Sequence, residues 1–263
     1  MSAALSAKTP VYGLHAVEAL LQRDAQAVAE LWVQLNRQDA RIERIVQQAR
    51  ESGVPVRRVA RAEIEQQTGD VQHQGIVAWS TRRTARGEQA LREALDRARD
   101  AVLFLVLDGV QDPHNLGACL RTADAAGVHA VIAPRDRAAG LTPAARKVAS
   151  GAAETVPFVQ VTNLARTLRW LREQGVWIIG ADDAAPAELY QADLRGPLAL
   201  VLGAEGSGLR RLTRELCDVL VRIPMAGTVS SLNVSVAAGV LLFEACRQRA
   251  RPGGLKDYPG VGK

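Results

Sequence analysis

The sequence predicts an α/β protein of two domains, the larger of which is built on a parallel β-sheet. The 263 residues exceed the size of one average domain and can bury a core without disulfides. Short apolar runs alternate with helical patterns along most of the chain, as in α/β folds. After residue 101 these runs lack polar alternation, which is typical of strands covered by helices on both faces.

The first 80 residues predict a small α/β domain. Apolar residues at helical spacing predict helices at residues 14–21, 40–52 and 62–68. Gly53 and Gly69 follow the second and third of these, where glycine commonly ends a helix. Short apolar segments predict strands at residues 31–35, 54–59 and 75–79.

Residues 81–100 predict a linker that runs into the first helix of the next domain, because they begin with a polar, basic stretch and continue as a charged helical pattern. The charges of this helix are expected to form a solvated face. The predicted domain limits are therefore 1–80, a linker at 81–100, a second domain at 101–250 and a tail at 251–263 rich in glycine and proline.

The second domain predicts six buried strands with helices between them. The strands are expected at residues 102–107, 128–133, 156–161, 176–180, 198–202 and 219–223. The helices are expected at residues 116–126, 143–152, 164–174, 209–216 and 232–249. Ligands of such sheets bind outside the carboxyl ends of the strands, so the loops that follow Leu107, Leu202 and Ile223 are expected to form the site.

The first two of these loops combine glycines with polar side chains. In residues 108–117, Asn115 is expected to cap the following helix, and Arg121 lies about one and a half turns further along it. In residues 203–209, the glycines allow close approach of a ligand, and Glu205 is a carboxylate at a strand end. This glycine pattern matches neither a dinucleotide fingerprint, nor a P-loop, nor a nucleophile elbow.

The third loop, residues 224–233, leads into a very apolar helix. Its serines and Asn233 offer possible helix caps, which is the structural explanation of this sequence. The amide of Asn233 at the start of such an apolar helix also indicates a nearby ligand. For Glu205 the corresponding structural explanation is a favourable charge at the start of the next helix, worth about 0.3 to 1 kcal/mol.

Composition excludes several classes of protein. The three cysteines form no CxxC pair and the four histidines have no metal-ligand spacing, so neither a disulfide framework nor a metal site is expected. The longest apolar runs are too short to cross a membrane, and a cytoplasmic protein is expected. The formal net charge is +5, and only four of the 33 basic residues are lysine. Arginine suits phosphate binding, although coding bias explains this composition equally well.

The three loops together resemble the signature of the SpoU (TrmH) branch of the SPOUT-class RNA methyltransferases. The matching segments are NLGACLRTA at 115–123, LVLGAEGSGL at 200–209 and IPMAGTVSSLNVS at 223–235. Their order and separation match the family as well. The resemblance extends through residues 112–114 and 147–154 and covers nearly the whole chain. Within the family it is strongest to enzymes that methylate a guanosine ribose of 23S ribosomal RNA.

The resemblance implies a C-terminal SPOUT domain with a deep trefoil knot and a small N-terminal L30e-like domain that binds RNA. It also implies a homodimer that uses S-adenosyl-L-methionine as methyl donor. Carried over by motif position, the donor contacts are Gly203, Ile223 and Leu232. The catalytic set implied in the same way is Arg121, Glu205, Asn115 and Asn233.

Methyl transfer to a ribose hydroxyl is an in-line displacement, so the protein must align the reacting atoms and stabilise a developing oxyanion. The family assigns Arg121 the role of base or activator of the hydroxyl. Arginine has a pKa above about 12 and is a poor base, so we expect it to stabilise the oxyanion or hold the adjacent phosphate. Glu205 is expected to hold Arg121 or a backbone amide, and the two asparagines to orient the ribose or the loops.

Two alternative functions remain open from the sequence, a transfer-RNA ribose 2′-O-methyltransferase and a non-catalytic factor that binds ribosomal RNA during assembly. A dinucleotide-dependent oxidoreductase is disfavoured because no strand is followed by the required glycine pattern. Six arginines in the first domain and the linker are expected to contact RNA phosphates without reading sequence. They are Arg57, Arg58, Arg61, Arg82, Arg83 and Arg86.

Overall fold

The computed structural model describes residues 8–37, 39–69, 73–80 and 87–250. Their contacts form two compact units, of which the first contains the described residues up to 80 together with residues 150–155, and the second contains the rest. Arg82, Arg83 and Arg86, on which an RNA contact was predicted, and the tail at 251–263 lie outside the described residues. No helix in the described part of the chain is long and apolar enough to cross a membrane.

The first unit is a four-stranded mixed sheet with helices on both faces. Its elements are β1 (Thr9–Tyr12), α1 (Leu14–Asp24), β2 (Val28–Gln34), α2 (Ala40–Glu51), β3 (Val56–Val59), α3 (Arg61–Thr68) and β4 (Ile76–Ser80). The strand order is β1-β4-β2-β3, with β4 antiparallel to both neighbours and β2 parallel to β3. Apolar residues of α1 and α2 cover one face. On the other face, Ile64 packs with Trp32 and Trp79, whose rings are arranged edge to face with their centroids 5.2 Å apart.

The six elements predicted for the first unit are confirmed, with ends that differ by up to three residues. Strand β1 was not predicted. It has only four residues, includes Pro10 and pairs with one neighbour, at an edge of the sheet, where a missing N–H is tolerated. Such a segment has little alternation by which to recognise it.

The second unit is a seven-stranded sheet in which every pair of neighbouring strands is parallel, as predicted. The strands are β5 (Leu103–Asp108), β6 (Ala130–Pro134), β7 (Phe158–Val161), β8 (Trp177–Ala181), β9 (Ala187–Glu188), β10 (Leu198–Gly203) and β11 (Val219–Arg222). The helices are α4 (Glu88–Ala98), α5 (Pro113–Ala125), α6 (Pro143–Ala149), α7 (Ala152–Thr155), α8 (Leu164–Glu173), α9 (Arg211–Leu216) and α10 (Val234–Arg249), of which α7 belongs to the first unit. The two-residue β9 was not predicted.

The sheet order β7-β6-β5-β10-β8-β11-β9 brings distant loops together. Strands β5 and β10 are neighbours, and their last residues, Asp108 and Gly203, are paired in register. Every residue of β5 is buried, as are the first five of β10. A fully buried aliphatic side chain contributes about 1.5 to 3 kcal/mol, so these strands hold the loops that follow them on a rigid base.

Helix α5 begins earlier than predicted, and the prediction that Asn115 caps it is wrong. Asp112 is the cap, since its carboxylate accepts the backbone N–H of His114 at 2.9 Å, and Pro113 occupies the first helical position. Proline there loses no helical hydrogen bond, so the sequence Asp-Pro sets the start. Asn115 therefore lies in the first turn, where its side chain is available for another partner.

Helix α5 packs closely on α6 at Gly117. A Cβ at this position would lie 2.5 Å from the carbonyl oxygen of Ala145 and 2.7 Å from the Cβ of Val148. The glycine of the first motif is therefore a packing requirement. The single helix predicted for residues 143–152 is two helices, with Ser150 between them at a φ of 52°. A left-handed residue of this kind ends a helix.

The carboxyl end of α10 is fastened to loops beside the sheet by its last two side chains. Gln248 accepts the N–H of Leu194 at 2.9 Å and donates to the carbonyl of Ala192 at 3.0 Å. Arg249 donates to four backbone carbonyls, those of Ala101, Val102, Leu194 and Gly196. These bonds fix the helix that carries Asn233 at its other end.

Candidate functional site

Three of the predicted site residues meet through their side chains. The amide of Asn115 donates to Glu205 Oε1 at 3.1 Å, and the amide of Asn233 donates to the same oxygen at 2.7 Å. Asn233 Nδ2 also lies 3.0 Å from Asn115 Oδ1. Residues separated by up to 118 positions thus form one polar group, which we call the amide–carboxylate group.

The start of α10 aims Asn233 at this group. Asn233 is the helix cap, and its Oδ1 accepts the N–H of Ser235 at 2.9 Å, which leaves the Nδ2 atom to face Glu205. The N–H of Val234 points to Glu205 Oε1 at 3.4 Å. The first N–H groups of a helix lack partners within the helix, so the carboxylate of Glu205 is favoured there. The predicted cap is confirmed, and the contact with Glu205 is compatible with the prediction that Asn233 is a site residue.

Glu205 holds amides rather than Arg121. The sequence left open whether it would hold Arg121 or a backbone amide, and it accepts hydrogen bonds from two side-chain amides and approaches the N–H of Val234. Its structural explanation, a charge at the start of the next helix, does not apply as stated. That helix, α9, begins at Arg211, and its cap is Arg210.

The second loop is a tight ring of backbone. Ala204 and Gly208 exchange two hydrogen bonds, of 3.2 and 2.9 Å, and Gly206 and Gly208 have φ values of 78° and 63°. A Cβ on Gly203 would lie 2.1 Å from the carbonyl carbon of Gly208. Only glycine fits at position 203, and no side chain of its own covers its backbone.

The second and third loops, together with residues that follow β8, line an open cavity of about 570 Å³. Gly203, Ile223 and Leu232, the predicted donor contacts, all line it, as do Glu205 and Asn233. The volume lies in the usual range of small-molecule sites. The glycine loop contributes backbone groups to the cavity, and the third loop contributes apolar side chains. Such a lining suits a ligand with a flat ring and several polar edges.

An ion pair in the cavity wall was missed by the sequence reasoning. Asp182 and Arg214 both line the cavity, and their side chains meet at 2.5 Å. Asp182 also accepts the N–H of Ala184 at 2.9 Å. Asp182 follows β8 directly, and the rule that ligands bind at the carboxyl ends of parallel strands gives the signal that could have found it.

Arg121 stands apart from the other predicted site residues. It lies on α5, is exposed to solvent and is not among the residues that line the cavity. Six residues, about 9 Å of helix, separate it from Asn115 on the same helix. A single copy of the chain therefore assembles the amide–carboxylate group and the cavity but does not bring this guanidinium into the cavity wall.

Cys119 of the first motif is a buried thiol. Burial, with a further contribution from the charge of Glu205, raises the pKa of Cys119 to about 12. A thiol in this state has little of the reactive thiolate at neutral pH, so it does not serve as a nucleophile. In the described part of the chain, no group of three or more histidine, cysteine or acidic residues could hold a metal ion.

The three described arginines of the first unit that were expected to contact RNA are each paired with a glutamate. Arg57 lies 3.0 Å from Glu63 and also 5.3 Å above the ring of Trp32. Arg58 and Arg61 are paired with Glu43 and Glu65, both at 2.7 Å. The positive charge available there for phosphates is therefore smaller than the sequence suggests.

Two family models match the chain. The SpoU rRNA Methylase family matches residues 102–243, and the RNA 2′-O ribose methyltransferase substrate-binding family matches residues 10–83. The first match spans more than half of the chain and contains all three loops of the site. The protein belongs to the SpoU methylase family, a class of α/β RNA methyltransferases of the SPOUT fold.

The names of individual relatives describe a more specific activity than the family name does. The chain is 55% identical to a 23S rRNA (guanosine-2′-O-)-methyltransferase RlmB of Shewanella oneidensis over 91% of this chain and 97% of that protein. The same identity holds for an enzyme of that name from Pseudomonas aeruginosa, over 91% and 96%. Among solved structures, the SpoU methyltransferase AviRb of Streptomyces viridochromogenes in complex with the cofactor AdoMet is 25% identical, with a TM-score of 0.65 over 92% of this chain and 91% of that chain.

Proposed function

We propose that this protein transfers a methyl group from S-adenosylmethionine to the 2′-oxygen of a guanosine in 23S ribosomal RNA. The observation that carries the proposal is the amide–carboxylate group of Asn115, Glu205 and Asn233, two of whose members line the cavity beside the Gly203 loop. The similarity to enzymes of this activity over nine-tenths of the chain supports the choice of substrate.

The residues that line the cavity suit the methyl donor. Gly203, Ile223 and Leu232 would hold it through backbone groups and apolar contacts, and the missing Cβ at Gly203 lets the backbone of Gly208 pack against it and close the loop. When bound, S-adenosylmethionine supplies a methyl group that is activated by an adjacent sulfonium. Asp182 and Arg214 add two charged groups to the same wall.

The amide–carboxylate group would orient the acceptor ribose. Glu205 fixes both asparagine side chains through one oxygen, which leaves its second oxygen and one amide hydrogen of Asn115 for the RNA sugar. Holding a hydroxyl in line with a bound methyl group lowers the activation barrier of methyl transfer, because the two groups no longer have to reach the reactive geometry by chance. The carboxylate also keeps these donors in place as charge develops on the oxygen.

Arg121 would complete the site from a second copy of the chain. It is exposed on α5 and absent from the cavity wall, and α5 packs beside α10, which presents Val236 and Phe243 at 51% and 52% exposure. Large apolar side chains exposed on one helix are typical of an interface. In a homodimer the guanidinium of one copy would stabilise the oxyanion or hold the adjacent phosphate in the site of the other.

The remaining predictions belong to the same proposal. The first unit, near residues 1–80, would bind RNA, residues 101–250 would form the catalytic domain with a deep trefoil knot, and residues 81–100 would join them. The protein would act in the cytoplasm, where ribosomal RNA is modified. A metal ion is not needed for the proposed chemistry, since the charged groups of the chain serve as positioning and electrostatic elements.

The test is to map 2′-O-methylation in RNA from cells with and without the protein, and to restore it with variants. We expect one guanosine of 23S rRNA to lose its methyl group. Gly203→Ala should fail to restore it, because the added Cβ overlaps Gly208. Gly227→Ala should restore it, because a Cβ on Gly227 in the third loop meets nothing within 4 Å.

The other outcomes separate the alternatives. Loss of a methyl group from transfer RNA alone would assign the protein to transfer-RNA modification. If no RNA loses a methyl group and ribosome assembly is nevertheless disturbed, the protein acts as a binding factor. Binding of S-adenosylmethionine by calorimetry then provides an independent check, since a factor without catalysis has no need of the donor.

A further inference from the structure

Asp108, the last residue of β5, is a buried carboxylate beside the site. Its side chain has no exposed surface, and one oxygen accepts the backbone N–H of Arg210 at 3.0 Å. The other oxygen, Oδ1, forms no hydrogen bond among the described residues and lies 3.5 Å from Arg210 Nε. A buried carboxylate with one oxygen that accepts no hydrogen bond destabilises the fold. Stability alone therefore does not explain why Asp108 is at this position.

The partner of this carboxylate, Arg210, is only partly enclosed. Its side chain is 43% exposed, and the ion pair with Asp108 involves only its Nε atom. The two terminal nitrogens of a guanidinium carry four further N–H donors. Asp108 therefore holds the base of the guanidinium, and the outer fork, which has no partner among the described residues, can bind another anion.

The guanidinium lies at the junction of two motif loops. An ideal Cβ on Gly109 would be 3.3 Å from Arg210 Nη2 and 3.7 Å from the Cβ of Ala204. Ala204 lines the cavity and precedes Glu205 directly. Gly109 is at a φ of 89°, a conformation that favours glycine, and its lack of a side chain leaves room for the arginine.

We propose that Arg210, held by Asp108, binds a backbone phosphate of the RNA strand that enters the site. The inference rests on the proposed function, because it takes RNA to be the substrate. An arginine fork matches a phosphate in a bidentate contact, and a position beside Ala204 is one residue from the group that orients the ribose. Arg210 is thus a positioning residue for the acceptor that is separate from the donor contacts and from Arg121.

Arg211 provides a matched control. It is the next residue, has the same charge, and forms an ion pair with Glu215 on the exposed side of α9, with a side chain 79% exposed. Arg210→Ala and Arg211→Ala therefore remove the same net charge from adjacent positions. Arg210→Lys keeps the charge and loses the fork. Because Arg210→Ala leaves Asp108 buried without its counter-charge, the pair Asp108→Asn with Arg210→Gln tests the same site in a neutral background.

The affinity for a 23S rRNA transcript is measured for each variant as a function of salt, together with kcat, the KM for the transcript and the Kd for S-adenosylmethionine. We expect Arg210→Ala to weaken RNA binding about tenfold and to reduce the slope of log affinity against log salt by about 0.7, the value for one lost phosphate contact on a single strand. Arg210→Lys should keep most of the salt slope. Donor affinity should stay within twofold, and Arg211→Ala should resemble the wild type.

The inference is overturned if RNA affinity and salt slope are unchanged in Arg210→Ala, or if Arg211→Ala has an equal effect. It is also overturned if the neutral pair binds RNA as the wild type does, or if only thermal stability and donor affinity fall, which indicates a purely structural ion pair. RNA binding is measured without turnover. A wild-type protein that binds RNA through Arg210 but transfers no methyl group would refute the proposed function and leave this inference intact.

Discussion

The two ends of helix α10 use polar side chains in different ways. At the carboxyl end, Gln248 and Arg249 direct their hydrogen bonds chiefly to backbone groups of the loops around the sheet. At the amino end, Asn233 is bonded mainly to other side chains, Glu205 and Asn115, at the mouth of a cavity. Side chains that satisfy backbone groups hold a fold together, whereas exposed side chains that hold one another can reorganise around a ligand. One helix thus separates an end that fastens the fold from an end that faces the candidate site.

The largest effect is expected from Glu205→Ala. Loss of the shared carboxylate releases both asparagines, and misplacement of the acceptor costs on the order of 100-fold in kcat. These hydrogen bonds are exposed, so the released amides can bond to water in place of the carboxylate, and the melting temperature should change little. Methyl transfer from tritiated donor and thermal melting measure the two effects.

Glu215→Ala is the control for this variant, because it removes an exposed carboxylate from α9 that lies outside the cavity wall. It should keep both activity and stability. A Glu205→Ala protein that melts several degrees earlier and methylates normally would show that the amino end of α10 is as structural as the carboxyl end.

Arg249→Ala should show the opposite pattern at the other end. The variant leaves four backbone carbonyls without this donor, and we expect the free energy of unfolding to fall by about 2 kcal/mol. Below the unfolding transition, kcat should match the wild type. Urea unfolding gives the first quantity and initial rates give the second.

Arg195→Ala serves as its control. That side chain is 70% exposed and paired with Asp193, which is itself 62% exposed, so its removal should cost less than about 1 kcal/mol. Equal destabilisation by both variants, or a loss of kcat in Arg249→Ala at a temperature where it is fully folded, would contradict the division between the two ends.

The smallest effect is expected from Asn233→Asp, which tests the cap and the site at once. Aspartate caps a helix as well as asparagine does, but it cannot donate to Glu205 and places a like charge where the Nδ2 atom lies 2.7 Å from that carboxylate. We expect about a tenfold loss of kcat, in line with the removal of one hydrogen bond to a charged group, and a small loss of stability.

Asn163→Asp isolates the capping contribution. Asn163 caps α8 by accepting the N–H of Arg166 at 2.9 Å, at an exposed position. This substitution should leave both activity and melting temperature as in the wild type. If Asn233→Asp behaves in the same way, capping explains Asn233 fully and its amide has no further role.

The sequence was sufficient to predict the parallel sheet of the second unit and the loops that line its cavity. Continuous apolar strands such as β5 and β10 have only one environment that suits them, a parallel sheet covered on both faces. The carboxyl-end rule then predicted that the loops of Glu205 and Asn233 would lie together, as they do. The Asp-Pro pair at residues 112 and 113 also indicates that Asp112, and not Asn115, caps α5.

What the sequence could not reveal depends on side-chain encounters between distant residues. The pairing of Arg249 with four carbonyls has no local pattern, and the pairing of Asp108 with Arg210 spans 102 positions. Arg210 falls within the helix predicted at residues 209–216, where nothing in the sequence distinguishes it from the neighbouring charged residues. The glutamate partners of Arg57 and Arg58 likewise became visible only when β3 and its neighbouring helices were in place.

The closed ring at Ala204 and Gly208 has a thermodynamic consequence. Its two cross-ring hydrogen bonds and the absence of room for even a methyl group at Gly203 determine its shape without help from a ligand. Little conformational entropy then remains to be lost on association. We expect the change in heat capacity when the donor binds to correspond only to the apolar surface that the donor covers. The larger decrease that accompanies the ordering of a disordered loop should be missing.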